Sequence, residues 1–300
     1  FGDLFANEEE WGQVVEDLVS LQKALNFFLQ KHSAVVLKAP LGSSGQNMLI
    51  IETINFSKSE LGWIQKTFKI QQKIIIEPWC ERLVDLSTLF KINEKEMSDN
   101  NDHRNKKSKN IQFTRILNNH KGQYSGTLLG KIFYCLDPVV TGNLYNLMDQ
   151  ISGEFFSIFD LFTDVAQSVE SELRNLLYEG PVGIDSFVYK DKTSKHGFKI
   201  RLISEINPRF TMGMVTHAII KRVVPNTLSV FLLLNIEKIK SYDIKNVKEF
   251  AAYVDEKFPL QVETSSGKPL MKEGVFLAGD TENTEKLIAV LVIGQKTLTE

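Results

Sequence analysis

The sequence has few cysteines, little net charge and no long apolar run. Only two of its 300 residues are cysteine, Cys80 and Cys135, and neither belongs to a C-x-x-C pair. This usage predicts no disulfide framework and no zinc site, and it favours a reducing, cytoplasmic location. The formal net charge of -2 gives no general case for a nucleic-acid or membrane partner.

Membrane-spanning segments are not expected either. The longest apolar candidate, 223–236, is shorter than a membrane-spanning helix and contains Pro225, Asn226 and Asn235. The first residues show no secretory signal peptide. The sequence opens on Phe1 rather than methionine, which leaves open whether residues precede it. The basic run 104–109 has no interleaved aromatic residue, so we interpret it as a solvated loop rather than a nucleic-acid site.

What the sequence does contain is material for a core and a pattern of paired strands. Hydrophobic residues make up 43% of the chain, which is typical of a globular protein. Because the strands neighbour one another in pairs, they predict an α+β fold with mainly antiparallel sheets. Periodicity predicts helices over 8–32, 57–68, 158–178 and, broken near Pro225, 215–234. Strands are predicted over 34–38, 48–52, 73–77, 112–117, 123–134, 183–189, 199–206, 274–278 and 287–293.

The first candidate site is the stretch I-S-E-I-N-P-R at 203–209. Side chains two apart on a strand share a face, so Glu205, Asn207 and Arg209 are expected to converge, while Ile206 can face the core. Carboxylate and amide oxygens are ligands that suit Mg²⁺, and the arginine fork suits phosphate oxygens. The alternative interpretation is a surface strand with scattered polar residues.

A second carboxylate is expected to join this site from the neighbouring strand. In a hairpin of 183–189 with 199–206, Asp185 lies near the start of the first strand and therefore across from Glu205. Two carboxylates on adjacent strands repel each other unless a cation lies between them. Asp185, Glu205 and Asn207 together therefore predict a metal site.

The second candidate site follows the strand 34–38, which ends at Lys38. Consecutive backbone N–H groups of a Gly/Ser loop can bind an anion, and the lysine adds a point charge. The pattern is not a P-loop, and the alternative is an ordinary hairpin turn. The loop residues are Gly42, Ser43, Ser44, Gly45 and Gln46.

The third candidate site is the connector after the buried strand 73–77. Unpaired backbone groups at a strand end can pair with the edge of a purine, while apolar side chains cover its ring. The connector also supplies Asp85 as a partner for ribose hydroxyls. The alternative is a buried strand followed by a linker. The connector begins with Glu77, Pro78, Trp79 and Cys80.

Taken together and in this order, the three sites resemble the ATP-grasp superfamily, of the carboxylate–amine ligase and carbamoyl-phosphate-synthase-like type. The resemblance spans about residues 31 to 235, and its most specific part is E-I-N-P-R with the upstream G-I-D. It implies that two α+β subdomains with mainly antiparallel sheets clamp ATP. The implied segments are a helical lead-in (1–30), a lid subdomain (31–90), a core subdomain with the metal site (91–235) and a C-terminal α+β extension (236–300).

The resemblance also implies roles for the nucleotide-binding residues. Lys38 would bind the α- and β-phosphate oxygens, and the loop 42–46 would close over the phosphates. Glu77 would accept a hydrogen bond from the adenine amino group, and main chain near Trp79 and Cys80 would meet the ring nitrogens. Asp85 is the expected ribose ligand, with Glu81 as the alternative.

The remaining implied roles concern the metal and the transferred phosphoryl group. Asp185, Glu205 and Asn207 would hold Mg²⁺, expected as two ions, with Mn²⁺ as an alternative. Arg209 would steady the transferred phosphoryl group together with Lys38, and Arg115 would face the same cleft.

The resemblance implies an ATP-dependent, Mg²⁺-dependent ligase that activates a carboxylate as an acyl phosphate and joins it to an amine or similar nucleophile. Two alternatives stay open, namely an ATP-grasp kinase and a nucleotide-binding module without turnover. The expected partners are a small-molecule carboxylate and a nucleophile, without nucleic acid or membrane, and a homodimer is left as an option. Typical members carry a further N-terminal domain, so this chain is expected to be a fragment or to belong to a branch that lost or replaced that domain.

Overall fold

The structure is a computed structural model of the chain. It describes residues 3–41, 47–93, 111–119, 121–148, 155–265 and 267–294. The predicted phosphate loop 42–46 and the basic run 104–109 lie outside the described residues. The chain divides into two units: unit 1 comprises Phe1–Leu83, Asn119–Tyr124 and Phe187–Leu202, and unit 2 comprises Val84–Asn118, Ser125–Ser186 and Ile203–Glu300.

The strands of the described residues are numbered in chain order. They are β1 (Gln13–Val15), β2 (Val35–Lys38), β3 (Met48–Ile51), β4 (Ile74–Pro78), β5 (Arg82–Ile92), β6 (Gln112–Asn118), β7 (Tyr124–Leu129), β8 (Leu147–Met148), β9 (Phe155–Phe156), β10 (Gly180–Lys190), β11 (Phe198–Asn207), β12 (Ser229–Asn235), β13 (Gln261–Ser265), β14 (Lys268–Ala278) and β15 (Leu287–Ile293).

The helices follow the same convention, with one 3-10 turn, Glu8–Glu10, before the first of them. Within the part of the chain that the structure describes, none of them has both the length and the apolar character needed to cross a membrane. They are α1 (Leu18–Leu29), α2 (Lys58–Gln71), α3 (Pro138–Tyr145), α4 (Ile158–Asn175), α5 (Met212–Ile220), α6 (Ile236–Lys240) and α7 (Val247–Lys257).

Unit 1 is built on a four-stranded sheet in the order β1-β4-β2-β3. Its three pairings, β1 with β4, β4 with β2 and β2 with β3, are antiparallel. The apolar stripes of α1 and α2 pack with the sheet residues into one buried cluster, as the period of 3.6 predicts. Its fully buried members include Leu21, Leu25, Phe28, Val35, Leu37, Ile64, Ile74 and Ile76.

Helix α2 begins where its sequence predicts, at a capping box. The Ser57 hydroxyl accepts a hydrogen bond from the Glu60 backbone N–H at 3.3 Å, and the Glu60 carboxylate accepts one from the Ser57 backbone N–H at 2.6 Å. Two of the four unpaired N–H groups of the first turn are satisfied in this way. The helix ends at Gln71, and the C-cap residue Gln72 has a left-handed φ of 62°.

Unit 2 contains the greater part of a nine-stranded sheet in the order β11-β10-β5-β6-β7-β12-β15-β14-β13. The pairings of β5 with β6, of β12 with β7 and β15, and of β14 with β13 and β15 are antiparallel. The α+β class with antiparallel sheets, predicted from the sequence, is therefore confirmed. The boundaries between the two units fall inside β5, β7, β10 and β11, and directly after β6.

Two helical predictions need correction. The stretch 8–32 is not one helix, because a 3-10 turn and strand β1 come before α1, and β1 pairs with β4. The stretch 215–234 is not helical after α5, since Ser229–Asn235 forms strand β12. A strand that is buried between two other strands is apolar throughout, and so is a buried helix. Their sequences therefore show no period that would distinguish the strand from the helix.

The strand pattern and the segment boundaries also differ from the expectation. The stretch after Cys80 is not a linker, because Arg82–Ile92 forms the long strand β5. The predicted extension 236–300 contributes β13, β14 and β15 to the same sheet as β12. The two units are discontinuous in sequence and so differ from the four consecutive segments expected. Ile206 is 40% exposed and does not face the core.

Candidate active site

The predicted site residues fall into two groups, and the first lies in unit 2 at neighbouring strands of the sheet. Asp185 on β10 is held by both of its carboxylate oxygens. The Ser87 hydroxyl on β5 donates to Oδ1 at 2.8 Å, and the Asn207 amide on β11 donates to Oδ2 at 3.1 Å. The structure therefore brings Asp185 and Asn207 together, and it adds Ser87, which the sequence analysis missed.

The hydrogen-bonded group continues from Asn207 to Arg209. The Arg209 guanidinium donates from Nη2 to Asn207 Oδ1 at 2.7 Å, and its backbone N–H donates to the Asn207 carbonyl at 2.8 Å. Strand β11 ends at Asn207, directly before Pro208, which has no N–H to continue a ladder. The turn at the proline thus returns the arginine toward the asparagine amide, and the predicted convergence of these two residues is observed.

The electrostatics of this group disfavour the ionised form of Asp185. The pKa of Asp185 is raised to about 6, first by burial and then by the nearby carboxylates of Glu205 and Asp85. The Ser87 hydrogen bond and the positive charge of Arg209 act in the opposite direction. Glu205 itself is exposed. A buried carboxylate beside like charges ionises readily only when a cation compensates it.

The donor set fits a hard divalent cation with bound waters. Magnesium binds through one or two carboxylates and keeps several waters, and amide oxygens are acceptable further ligands. Asn207 Oδ1 keeps a lone pair besides the one that accepts from Arg209. No cluster of three or more His, Cys, Asp or Glu side chains that could hold a metal occurs among the described residues. The residues that the sequence predicts as ligands are instead two carboxylates and one amide, namely Asp185, Glu205 and Asn207.

The second group lies in unit 1 and contains Lys38 and Glu77. Lys38 Nζ lies 2.7 Å from Glu77 Oε2, and both side chains are mostly buried. Arg201 Nη2 lies 3.7 Å from the other Glu77 oxygen. The Glu77 carboxylate is therefore shared between two cations, so its predicted hydrogen bond to a purine amino group stays a prediction.

Part of the main chain of the connector after β4 is already hydrogen-bonded to the sheet of unit 1. The Trp79 backbone N–H donates to the Ala34 carbonyl at 3.0 Å, so this group is not free for a ring nitrogen. Pro78 is the last residue of β4. Burial raises the pKa of the Cys80 thiol to about 11, and the thiol donates weakly to the Pro78 carbonyl at 3.8 Å.

Asp85 and Arg115 lie in unit 2 on the paired strands β5 and β6, where Asp85 is opposite Ile116. Arg115 Nη1 donates to the carbonyls of Tyr134 at 2.6 Å and of Ile132 at 3.3 Å. Burial lowers the pKa of this arginine. Its side chain therefore holds the turn after β7, and its expected place in a nucleotide cleft is not supported by these contacts.

A further buried cluster in unit 1 was not found from the sequence. Lys199 and Arg201 alternate on β11 with the same period as Glu205 and Asn207, and this period was the available signal. Their partner Glu10 carried none, because a contact with a residue nearly two hundred positions away leaves no local pattern. Asp191 is only eight positions before Lys199, in the turn between β10 and β11, and the sequence analysis interpreted that turn only as a polar connection. Lys199 Nζ lies 3.1 Å from Glu10 and 3.2 Å from Asp191.

Solved structures provide the comparison with known proteins. No protein-family model and no curated protein matches the chain. A structure of N5-carboxyaminoimidazole ribonucleotide synthetase with ADP has a TM-score of 0.53 at 11% identity, covering 99% of this chain and 66% of that chain. The Staphylococcus aureus N5-carboxyaminoimidazole synthetase with ADP has a TM-score of 0.50 at 12% identity, covering 96% and 64%.

A third structure comes from a larger enzyme. A Rhizobium etli pyruvate carboxylase variant with acetyl-coenzyme A has a TM-score of 0.50 at 12% identity, covering 96% of this chain and 24% of that chain. The chain thus spans slightly less than two thirds of the first two proteins. At such identities the likeness concerns the fold alone. With its antiparallel sheets and these neighbours, the chain has the fold of the ATP-grasp superfamily, as its sequence motifs predicted.

Proposed function

We propose that the chain binds ATP with Mg²⁺, activates a carboxylate as an acyl phosphate, and joins it to an amine or a similar nucleophile. One observation carries the proposal, which is the hydrogen-bonded group of Ser87, Asp185, Asn207 and Arg209 with the negative charge of Glu205 beside it. This group combines oxygen ligands for a cation with a guanidinium for phosphate oxygens. The ATP-grasp fold supports the proposal.

In this proposal the oxygen donors of unit 2 bind the metal. Asp185 is oriented by Ser87 and Asn207, so its carboxylate needs little reorganisation to bind a cation. Glu205 is exposed and can turn toward the same ion. The bound ion would supply charge neutralisation for the phosphate oxygens.

Each of the two groups contains a positively charged side chain that can bind phosphate oxygens, Arg209 in unit 2 and Lys38 in unit 1. The Arg209 guanidinium donates one hydrogen bond to Asn207, and its other N–H groups would donate to oxygens of the transferred phosphoryl group. Lys38 carries three donors, so it can keep Glu77 and still donate to a phosphate oxygen. These residues act by positioning and by charge, which is what phosphoryl transfer requires of a protein.

The reaction has two steps. A carboxylate oxygen of the substrate forms a bond to the γ-phosphorus of ATP, the bond to the bridging oxygen breaks, and ADP leaves. The nucleophile then forms a bond to the acyl carbon, inorganic phosphate leaves, and the nucleophile gives up its proton. The protein needs no covalent intermediate of its own for either step.

The test is an ADP-release screen against pools of carboxylic acids, with hydroxylamine present as a general nucleophile. An acyl phosphate is trapped as a hydroxamate, which mass spectrometry identifies. We expect ADP and hydroxamate in equal amounts with at least one acid pool. The variant Glu205→Gln should lose both products, because it removes one of the two metal carboxylates.

The control and the alternatives follow from the same assay. Glu179→Gln removes an exposed carboxylate next to β10 and should keep wild-type rates. ADP release with a stable phosphorylated product and no hydroxamate would select the kinase instead. Nucleotide binding without any turnover would select the non-catalytic module. The cytoplasmic location and the homodimer stay predictions.

A further inference from the structure

A short segment before β1 lies against the start of β11 within unit 1. We call residues 4–12 the strap. The Ile200 backbone N–H donates to the Leu4 carbonyl at 2.8 Å, and the Ala6 backbone N–H donates to the Ile200 carbonyl at 3.1 Å. Phe5 and Ile200 thus form a parallel bridge. The strap is attached to β11 at this end by a pair of main-chain hydrogen bonds.

The middle of the strap is held by side chains of β10 and β11. The Glu10 carboxylate accepts from Lys199 Nζ at 3.1 and 3.2 Å and from the Tyr189 hydroxyl at 3.1 Å. Arg201 donates to the carbonyls of Glu10 at 2.6 Å and of Trp11 at 2.5 Å. Because Arg201 also lies beside Glu77, one guanidinium connects the strap to the end of β4.

The end of the strap presses on β4. Gly12 has a φ of +91°, and a Cβ at this position would lie 2.6 Å from both the Ile76 carbonyl oxygen and Glu77 Cγ. Only glycine tolerates this conformation and this approach without a shift of the backbone. The strap therefore lies in direct contact with the residue at which the connector begins.

The strap and the connector enclose a small pocket. Ala6 and Glu10 line it from the strap, and Glu77, Pro78 and Cys80 line it from β4 and the connector. Phe187, Tyr189 and Arg201 complete the lining. The remaining cavity of about 10 Å³ has room for about one water molecule. A purine ring needs many times this space and does not fit while the strap is in place.

We propose that the strap is a gate: while it is docked, it excludes a nucleobase from the pocket at the connector, and its release admits the base. This inference rests on the proposed function, because it takes the pocket as the place of the ATP base. Docked and released strap then form a two-state equilibrium. The apparent dissociation constant for ATP equals the intrinsic one divided by the fraction of chains with a released strap.

Glu10 offers the cleanest way to shift this equilibrium. Glu10→Ala removes the carboxylate that Lys199 and Tyr189 hold, while Lys199 keeps Asp191 at 3.2 Å and is not left without a counter-charge. The matched control is Glu9→Ala in the same 3-10 turn, which removes only an exposed pair with Lys31. A second variant, Gly12→Ala, releases the strap by steric contact with β4 and changes no charge.

Two readouts test the gate in the full chain. The first is alkylation of Cys80 by iodoacetamide, followed by mass spectrometry with the exposed Cys135 as internal reference. The second is ATP affinity by isothermal titration calorimetry with Mg²⁺ present. We expect Glu10→Ala and Gly12→Ala to raise Cys80 labelling about 10-fold or more and to tighten ATP binding about 3- to 10-fold. ATP should then suppress Cys80 labelling, and Glu9→Ala should match the wild type.

The outcomes separate this inference from the proposed function. ATP binding with unchanged affinity and unchanged Cys80 labelling in both strap variants overturns the gate and leaves the proposed function intact. Weaker ATP binding in both strap variants also overturns it, because the strap would then support the pocket. If neither the wild type nor any of the variants binds ATP, the proposed function is wrong. The inference then fails with it, whatever the Cys80 labelling shows.

Discussion

The ionic cluster of unit 1 and the carboxylate group of unit 2 differ in how their charges are balanced. In unit 1, Glu10 and Asp191 both lie beside Lys199, and Glu77 lies between Lys38 and Arg201. In unit 2, Asp185 has two further carboxylates in its surroundings, and Arg209 supplies the positive charge that opposes them.

This difference separates a structural role from a binding role. Buried charges that are paired and hydrogen-bonded hold a fold in one arrangement, and removing one partner is costly. A buried carboxylate with a raised pKa is destabilising by itself, and such groups cluster at sites that bind ligands. We therefore expect substitution of Lys199, between Glu10 and Asp191, to lower stability, and substitutions in the carboxylate group of unit 2 to remove binding.

The largest effect is expected for Lys199→Met in unit 1. The variant leaves Glu10 and Asp191 buried without their cation, and breaking a buried ion pair in this way costs about 3–5 kcal/mol. Urea unfolding measures the change. Lys190→Met is the control, because it removes an exposed pair with Glu81 and should cost less than about 1 kcal/mol. Equal losses in the two variants would contradict the proposed difference between buried and exposed pairs.

A smaller loss is expected for Arg115→Met in unit 2. The variant removes the charged donor that holds the carbonyls of Ile132 and Tyr134, and such hydrogen bonds contribute about 1.5–3 kcal/mol. ATP affinity should stay within about twofold of wild type, which calorimetry measures as less than about 0.5 kcal/mol. A large loss of ATP affinity with unchanged stability would instead support a role of Arg115 in binding the nucleotide.

The variant Asp185→Asn is expected to raise stability while it removes metal binding. Because the pKa of Asp185 is higher in the folded chain than its ordinary value of 3.8, ionisation opposes folding as the pH rises from about 4 to about 6. The neutral amide avoids this cost and should add about 1–3 kcal/mol at pH 7. Thermal unfolding without Mg²⁺ measures the gain. Asp255→Asn, at an exposed position of α7, should change nothing.

The smallest expected effect concerns the two cysteines, and it is a difference in their rates of alkylation. Cys80 of unit 1 has a pKa of about 11, so less than about 1% of it is thiolate at pH 8, whereas Cys135 of unit 2 is exposed. Iodoacetamide should therefore alkylate Cys135 first in the wild-type chain, as peptide mass spectrometry would record. Preferential labelling of Cys80 would show that the docked strap does not shield it.

The sequence predicts the part of the structure that depends on local pattern. The capping box of Ser57 and Glu60 marks the start of α2, and Pro208 marks the end of β11 at Asn207, with Arg209 directly after it. Strand β5 was missed because Asp85, Ser87 and Thr88 interrupt its apolar pattern. Ser87 is tolerated in the strand because its hydroxyl donates to Asp185, nearly a hundred positions later in the chain.

The contacts that depend on the tertiary structure could not be predicted. Glu10 is one residue of an acidic triplet, and nothing in that triplet indicates that Lys199 and Tyr189 will bury its carboxylate. Arg115 was expected in a cleft because it lies on a strand, but the turn after β7 satisfies it instead. Composition and spacing give residue types at a site, whereas distant partners decide which of them remain free to bind a ligand.

The most direct test of the central claim is a calorimetric titration of ATP into the wild-type chain and into Asp185→Asn, with and without Mg²⁺. We expect ATP affinity of the wild type to rise about 10-fold or more with Mg²⁺, and that of the variant to be independent of Mg²⁺. Equal dependence on Mg²⁺ in the two chains would contradict the assignment of the carboxylate group as a metal site.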